Sequence, residues 1–65
     1  MKLTVHKEDD ALYLRLDDSE IVDSEEVEEG IVLDYNRNGK VVGIEILHLS
    51  RRSPDSLEHI LLESA

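Results

Sequence analysis

Carboxylates are the side chains of this sequence that could do chemistry, and they concentrate in one segment. Eight of the thirteen residues in 17–29 are acidic and none is basic. The eight are Asp17, Asp18, Glu20, Asp23, Glu25, Glu26, Glu28 and Glu29. Calcium takes about six to eight oxygen ligands, but this segment lacks the DxDxDG spacing of a calcium loop and contains no glycine. We therefore interpret it as a solvated loop that runs into a strand edge, with an electrostatic contact surface or a cation site as alternatives.

A second acidic pair, Asp34 and Glu45, lies in two apolar segments that we expect to pair as strands. With Asn38-Gly39 at the centre of the intervening turn, Asp34 faces Gly43 and Glu45 faces Val32. The two acids then lie on one face as diagonal neighbours, within reach of each other. Such a pair could bind a metal or act as acid and base, but no His or Lys shares their face nearby. We interpret both as carboxylates on the less buried face of the sheet.

The other reactive side chains form no catalytic or metal-binding pattern. His6, His48 and His59 lie in three different predicted elements, without HxH or HExxH spacing, and we interpret them as surface histidines. The chain has no cysteine and no GxSxG motif, so no nucleophile is evident. The sequence predicts no catalytic residue, no metal site and no cofactor, and hence a protein that is not an enzyme.

Size and charge limit the classes of partner. Residues 1–65 are enough for one domain with a thin core, which self-association would reinforce. Sixteen acidic and seven basic residues give a formal net charge of −9, which opposes binding to nucleic acid or anionic lipid and favours a basic protein partner. The apolar runs are far shorter than the ~20 residues that span a bilayer, and the N-terminus lacks a signal-peptide core. We expect a cytoplasmic protein that forms a homo-oligomer or binds a small basic protein.

Hydrophobic periodicity places these residues on a small α+β domain. Alternating apolar residues predict a four-stranded, mainly antiparallel, meander-like sheet, and Ser53-Pro54-Asp55 predicts the start of a helix that packs on one face. Gly30 lies within the third strand, where we expect a bend. The predicted strands lie near 2–6, 11–16, 25–36 and 40–48, and the helix near 54–63.

The alternation gives the predicted sheet two different faces. One face is continuously apolar and needs a cover. It carries Leu3, Val5, Leu12, Leu14, Leu16, Ile31, Leu33, Val42, Ile44 and Ile46. The opposite face mixes apolar and charged side chains, and we predict that it is the interaction face. Its members are Tyr13, Val32, Asp34, Val41, Glu45 and Leu47. Gly43 shares this face, and a glycine there weakens the strand unless another group approaches the backbone.

Two segments, DALYLRL near the start and EGIVLDYNRNGKVVGIEIL, resemble the Domain of Unknown Function 2283 family of small prokaryotic proteins. The matching residues are Asp10-Ala11-Leu12-Tyr13, Gly30, Leu33-Asp34-Tyr35, Gly39 and Val42-Gly43-Ile44-Glu45-Ile46-Leu47. Members often have a proline where this chain has Glu29. The resemblance implies a compact α+β domain. It assigns no particular activity and identifies no functional residues. Some members are associated with genes in arrangements that resemble toxin–antitoxin pairs.

These observations favour a small, acidic, non-enzymatic protein-interaction module. It would self-associate or bind a small basic protein in the manner of an antitoxin, an interpretation that depends on the net charge and on the mixed sheet face. The alternative is an acidic protein that binds a metal or a small ligand through residues 17–29 or through Asp34 and Glu45, because carboxylates are dense there.

Overall fold

A computed structural model of the chain describes residues 1–52, which form an antiparallel sheet and a short helix. The strands are β1 (Lys2–His6), β2 (Ala11–Arg15), β3 (Asp23–Glu28), β4 (Ile31–Tyr35) and β5 (Val41–Ile46). A 3₁₀ turn at Lys7–Asp9 joins β1 to β2, and the helix α1 (Leu49–Arg52) follows β5. The predicted antiparallel sheet with a C-terminal helical segment is confirmed, whereas the prediction of four strands is wrong. The helix predicted near 54–63 lies outside the described residues.

The five strands follow the spatial order β1-β2-β5-β4-β3. A hairpin, β1–β2, and a three-stranded meander, β3–β4–β5, join where β2 pairs with β5. Residues 16–22 therefore cross from the middle of the sheet to its far edge. The predicted meander holds only for the last three strands, because the last strand pairs with the first hairpin at the centre of the sheet.

The additional strand arises because Gly30 makes a turn instead of a bend. Gly30 has φ +81°, a left-handed conformation that glycine adopts without strain, and the chain reverses there between β3 and β4. Its N–H donates to the Glu26 carboxylate (3.3 Å), and its carbonyl accepts from the N–H of Leu47 (2.7 Å). Residues 25–36, predicted as one bent strand, therefore hold the end of β3 and the whole of β4. β3 begins at Asp23, in the part of segment 17–29 interpreted as a solvated loop that leads into the strand.

The register of β4 and β5 agrees with the prediction along most of their length. Asp34 pairs with Gly43, and Val32 pairs with Glu45, as expected. The register then shifts by one residue, so that Tyr35 pairs with Val41.

This shift reflects a turn that differs from the predicted one. The N–H of Gly39 donates to the carbonyl of Asn36 (3.0 Å), and the N–H of Asn36 donates to the carbonyl of Lys40 (2.9 Å). Gly39 has φ +77°, whereas Asn38 has no positive φ. The turn is therefore centred on Arg37-Asn38, with Gly39 as the left-handed residue of a three-residue loop. The prediction that Asn38-Gly39 is the centre is wrong.

Cross-strand pairing confirms the predicted apolar face, because residues directly opposite each other share a face. One row of the sheet consists of Leu3, Leu14, Ile44 and Leu33, and the next consists of Val5, Leu12, Ile46 and Ile31. The most buried apolar side chains of the described residues are Val42, Leu49, Ala11 and Leu12. Full burial of a side chain such as Val42 or Leu12 contributes about 1.5–3 kcal/mol, so these positions are the centre of a small core.

Asp10 ties the C-terminal helix to the first hairpin. It has φ +54° and ψ +44°, at the end of the 3₁₀ turn. Its carboxylate accepts hydrogen bonds from the N–H (3.1 Å) and the hydroxyl (2.7 Å) of Ser50, and its carbonyl accepts from the N–H of Leu49 (3.0 Å). These bonds satisfy N–H groups in the first turn of α1, which have no partner within the helix. Asp10 therefore caps a helix that begins some forty positions later in the chain.

We expect Asp10→Gly to lower the free energy of unfolding by about 1 kcal/mol, because glycine keeps the left-handed backbone but removes the cap. Asp10→Ala should cost about 1 kcal/mol more, because alanine adds left-handed strain. Urea unfolding followed by far-UV circular dichroism measures both. Asp10→Asn is the control, since asparagine tolerates the backbone and keeps one side-chain acceptor. A glycine variant as stable as the wild type would show that the cap does not contribute.

Candidate functional site

A polar network links three strands on the face opposite the apolar rows. The hydroxyl of Tyr13 donates to one oxygen of Asp34 (2.9 Å), and the hydroxyl of Ser24 donates to the other (2.6 Å). Asp34 is 9% exposed, so its carboxylate is buried and engaged by both hydroxyl groups. The strands β2, β4 and β3 position these residues, and β5 lies between Tyr13 and Asp34 in the sheet.

Gly43 of β5 makes the network possible. A Cβ atom at this position would overlap the hydroxyl of Tyr13 and would lie 3.0 Å from the nearer carboxylate oxygen of Asp34. A glycine in the middle of a strand indicates that another group lies close to the backbone. Here those groups are the side chains of Tyr13 and Asp34. The network crosses the sheet directly above the glycine.

Arg15 extends the network into the crossover segment 16–22. Its guanidinium donates to the hydroxyl of Tyr13 (3.4 Å) and to the backbone carbonyls of Asp17 (2.7 Å) and Ser19. Asp17 in turn accepts a hydrogen bond from the N–H of Ser19 (2.7 Å). Hydrogen bonds from the side chain and backbone of Ser19 hold the pKa of Asp17 below its usual value. The start of the acidic segment is thus fixed by local bonds.

The predicted interaction face is brought together in part. Tyr13 and Val32 both lie directly opposite Glu45, and Asp34 lies on the same side through its bond to Tyr13. These four residues therefore share one surface. Among the described contacts, Asp34 and Glu45 do not bond to each other, since ionised carboxylates are both acceptors, and Asp34 is held by hydroxyl groups instead.

The other two predicted members, Val41 and Leu47, are not joined to this surface by strand pairing. Val41 is displaced by the register shift and pairs with Tyr35. Leu47 follows β5 and contacts the β3–β4 turn through its backbone, where its N–H donates to Gly30. With His48, Arg51 and other residues it lines a shallow cavity of about 270 Å³.

The edge strand β3 is both exposed and acidic. All six of its residues are exposed, and its carboxylates are those of Asp23, Glu25, Glu26 and Glu28. We call the strand Asp23–Glu28 the acidic edge. In the part of the chain that the structure describes, this strand pairs only with β4. Its other side is therefore a row of backbone groups without a strand partner.

Comparison with families of known proteins finds one that covers most of the chain. The family described as "Protein of unknown function (DUF2283)" matches residues 2–50. The chain belongs to this family. Comparison with curated proteins finds no match, and comparison with solved structures finds none either.

The DUF2283 match covers all five strands and ends just inside α1. Several residues that carry the resemblance have structural roles in this DUF2283 chain. Asp10 caps α1, Gly30 and Gly39 make left-handed turns, and Gly43 accommodates the contact between Tyr13 and Asp34. These roles explain the fold of the DUF2283 domain, and they assign no reaction to it.

Within residues 1–52 of this DUF2283 chain, no group of three or more His, Asp or Glu is arranged to hold a metal ion. His6 and His48 are both exposed and lie in different parts of the fold, while His59 lies outside the described residues. Among these residues, no helix has the length and hydrophobicity to cross a membrane.

The sequence did not predict the bonds that Ser24 and Arg15 make in this network. Ser24 was assigned to a solvated loop, so no partner strand was available to bring it to Asp34. Arg15 was placed correctly in β2, but its bonds to the backbone of residues 17 and 19 depend on the path of the crossover. The signal that could have revealed the network was Gly43, which marked a close approach without naming the approaching group.

Proposed function

We propose that the protein is a non-enzymatic, cytoplasmic interaction module whose acidic edge binds a basic protein partner. The observation that carries the proposal is the exposure of all six residues of β3 together with its four carboxylates. No lysine or arginine lies in β3, and the pairing of Glu28 with Arg52 (3.3 Å) is the one ion pair described along it. A surface of this kind attracts a basic partner and orients it during encounter.

The network around Asp34 supports the non-enzymatic part of the proposal. Both oxygens of this buried carboxylate accept hydrogen bonds from hydroxyl groups, which hold it within the sheet. A general base needs an accessible carboxylate within hydrogen-bond reach of the proton that it removes. The network is better suited to fix β3 against the rest of the sheet and so to present the acidic edge rigidly.

A charge-reversal experiment tests the proposal. The probe is the peptide acetyl-Val-Arg-Lys-Arg-Lys-Val-amide, titrated calorimetrically into the 65-residue chain at low and at physiological salt. We expect binding that weakens with salt. We expect Asp23→Lys/Glu25→Lys to reduce the affinity by about tenfold or more, because like charges then oppose the peptide.

The control variant is Glu8→Lys/Asp9→Lys, which makes the same change in net charge at the 3₁₀ turn beside β1. The two edge strands are four strand spacings apart, or ~19 Å, which is more than two Debye lengths at physiological salt (~8 Å each). The control should therefore bind the peptide nearly as well as the wild type. Equal losses in the two variants would attribute binding to net charge alone, and no binding to the wild type would refute the proposed function.

A further inference from the structure

Among residues 1–52, the outer side of β3 has no strand partner, which indicates how a partner would bind if the proposed function is correct. An edge strand presents unpaired N–H and C=O groups, which are a template for pairing with another chain. We infer that the acidic edge binds by strand addition, in which an extended basic segment of a second protein pairs with β3 as the next strand of the sheet. Backbone hydrogen bonds would then supply affinity, and the alternating side chains would supply specificity.

The features that protect the edge of β3 from unwanted strand pairing favour a basic segment as the added strand. Natural edges are commonly protected by lysine, proline, bulges or a covering segment. β3 contains neither lysine nor proline, and its register shift lies between Glu26 and Glu28. Residues Asp23–Glu26 therefore pair regularly with β4 and keep a regular outer side. In the part of the chain that the structure describes, their protection is negative charge, which opposes a second copy of β3 because carboxylate would face carboxylate. The same charge favours a strand that carries Lys and Arg.

The acidic side chains are placed on both faces of the sheet. Glu25 lies opposite Leu33, on the apolar face, and Glu26 lies opposite Val32, on the mixed face. Side chains of an added strand alternate between the same two faces, so two consecutive basic residues beside Glu25 and Glu26 would each meet a carboxylate.

The two ends of the acidic edge differ from its centre. Val22 is 50% exposed and Val27 is 48% exposed. Both are large apolar side chains beside or within the same strand. The expected partner segment therefore has a basic centre with an apolar residue at each end.

The strand β1 of a second copy is the competing occupant, and it fits less well. Lys2 and His6 lie opposite Arg15 and Ala11 respectively, on one face of the sheet. Pairing through β1 would therefore place basic side chains on only one face, and either Glu25 or Glu26 would lack a basic neighbour. A second copy would also bring a formal net charge of −9, which repels an acidic surface.

Backbone methylation of the peptide separates strand addition from attraction by charge. The unmodified probe is acetyl-Val-Arg-Lys-Arg-Lys-Val-amide, and its matched control carries N-methyl groups at all internal amides with the same side chains and charge. Strand addition predicts at least a tenfold loss of affinity on methylation, because the peptide can no longer donate backbone hydrogen bonds. Amide hydrogen exchange of the full chain should then show slowed exchange at alternate residues of Asp23–Glu26 when the unmodified peptide is bound.

The possible outcomes are distinct. Equal binding of the two peptides, without slowed exchange in β3, would overturn strand addition and leave the proposed function intact. Failure of both peptides to bind would refute the two together. Slowed exchange in β3 without peptide, increasing with protein concentration and removed by Lys2→Glu, would assign the edge to a second copy and overturn the heterologous partner.

Discussion

Replacing Gly43 with alanine is expected to destabilise the domain by about 2–3 kcal/mol, the upper part of the ~1–3 kcal/mol that inserting atoms into a packed site usually costs. The added Cβ would overlap the hydroxyl of Tyr13. It would also lie 3.0 Å from Cζ of Tyr13 and 3.0 Å from Oδ2 of Asp34. Tyr13 must move, and its bond to Asp34 is then lost. A loss of this size is a large part of the ~3–10 kcal/mol expected for a chain of this length. Urea unfolding followed by far-UV circular dichroism measures it.

A double-mutant cycle identifies the cause of the loss. Tyr13→Phe removes the overlapping hydroxyl, so Gly43→Ala should cost less in the phenylalanine background than in the wild type. We expect a coupling of about 1 kcal/mol, typical of residues in direct contact. Strictly additive losses would show that alanine acts through the strand backbone and not through Tyr13.

Gly39→Ala is the matched control for glycine replacement. No atom lies within 4 Å of a Cβ built at this position, but φ is +77°. Its loss should therefore reflect backbone strain alone, about 1–2 kcal/mol, and should be the same with or without the Tyr13 hydroxyl.

The β4–β5 hairpin was predictable from sequence because its pattern contains two independent signals. Apolar residues alternate on both strands, and Asn and Gly occupy the turn between them. The predicted pairs of Asp34 with Gly43 and of Val32 with Glu45 are confirmed. The turn centre was wrong by one residue, since a two-residue and a three-residue loop use the same Asn-Gly dipeptide and differ only in which residues have positive φ.

A separate strand β3 was not predictable from the same reasoning, which joined residues 25–28 to β4 as one bent strand and left residues 23 and 24 in a loop. Its sequence, DSEEVE, has few residues of high strand propensity, and a run of carboxylates is more often a solvated segment. It is a strand because Gly30 reverses the chain and places it beside β4. Pairing with an existing sheet thus outweighs the local preference of its residues.

The candidate site depended on that missing strand. Without β3, Ser24 had no path to Asp34, and the acidic residues had no edge on which to be arranged. The bond from Asp10 to Ser50 was also beyond sequence reasoning, because it joins residues forty positions apart. Local patterns predict which face a residue takes, but contacts between distant elements depend on strand order.

Removal of the Asp34 carboxylate should have the second large effect. Asp34→Ala removes the acceptor of the Tyr13 and Ser24 hydroxyls in a part-buried site, and hydrogen bonds to a charged group contribute about 1.5–3 kcal/mol. We expect a loss of about 2–3 kcal/mol in the free energy of unfolding. Asp34→Asn keeps the shape and one acceptor oxygen, so its loss should be about 1 kcal/mol. Urea unfolding of each variant measures these values.

Glu45→Ala is the control for Asp34→Ala, because it removes a second carboxylate from the same face of the sheet. Glu45 is a half-buried carboxylate on the same face, directly opposite Tyr13 and Val32, and within residues 1–52 it makes no described side-chain hydrogen bond. Its removal should change stability by less than about 0.5 kcal/mol, as for most surface positions. Equal losses at the two positions would mean that the face is stabilised by its general charge or packing. A large loss at Asp34 alone, accompanied by faster amide exchange in β3, would show that this carboxylate holds the acidic edge to the sheet. The proposed interaction surface would then depend on the network beneath it.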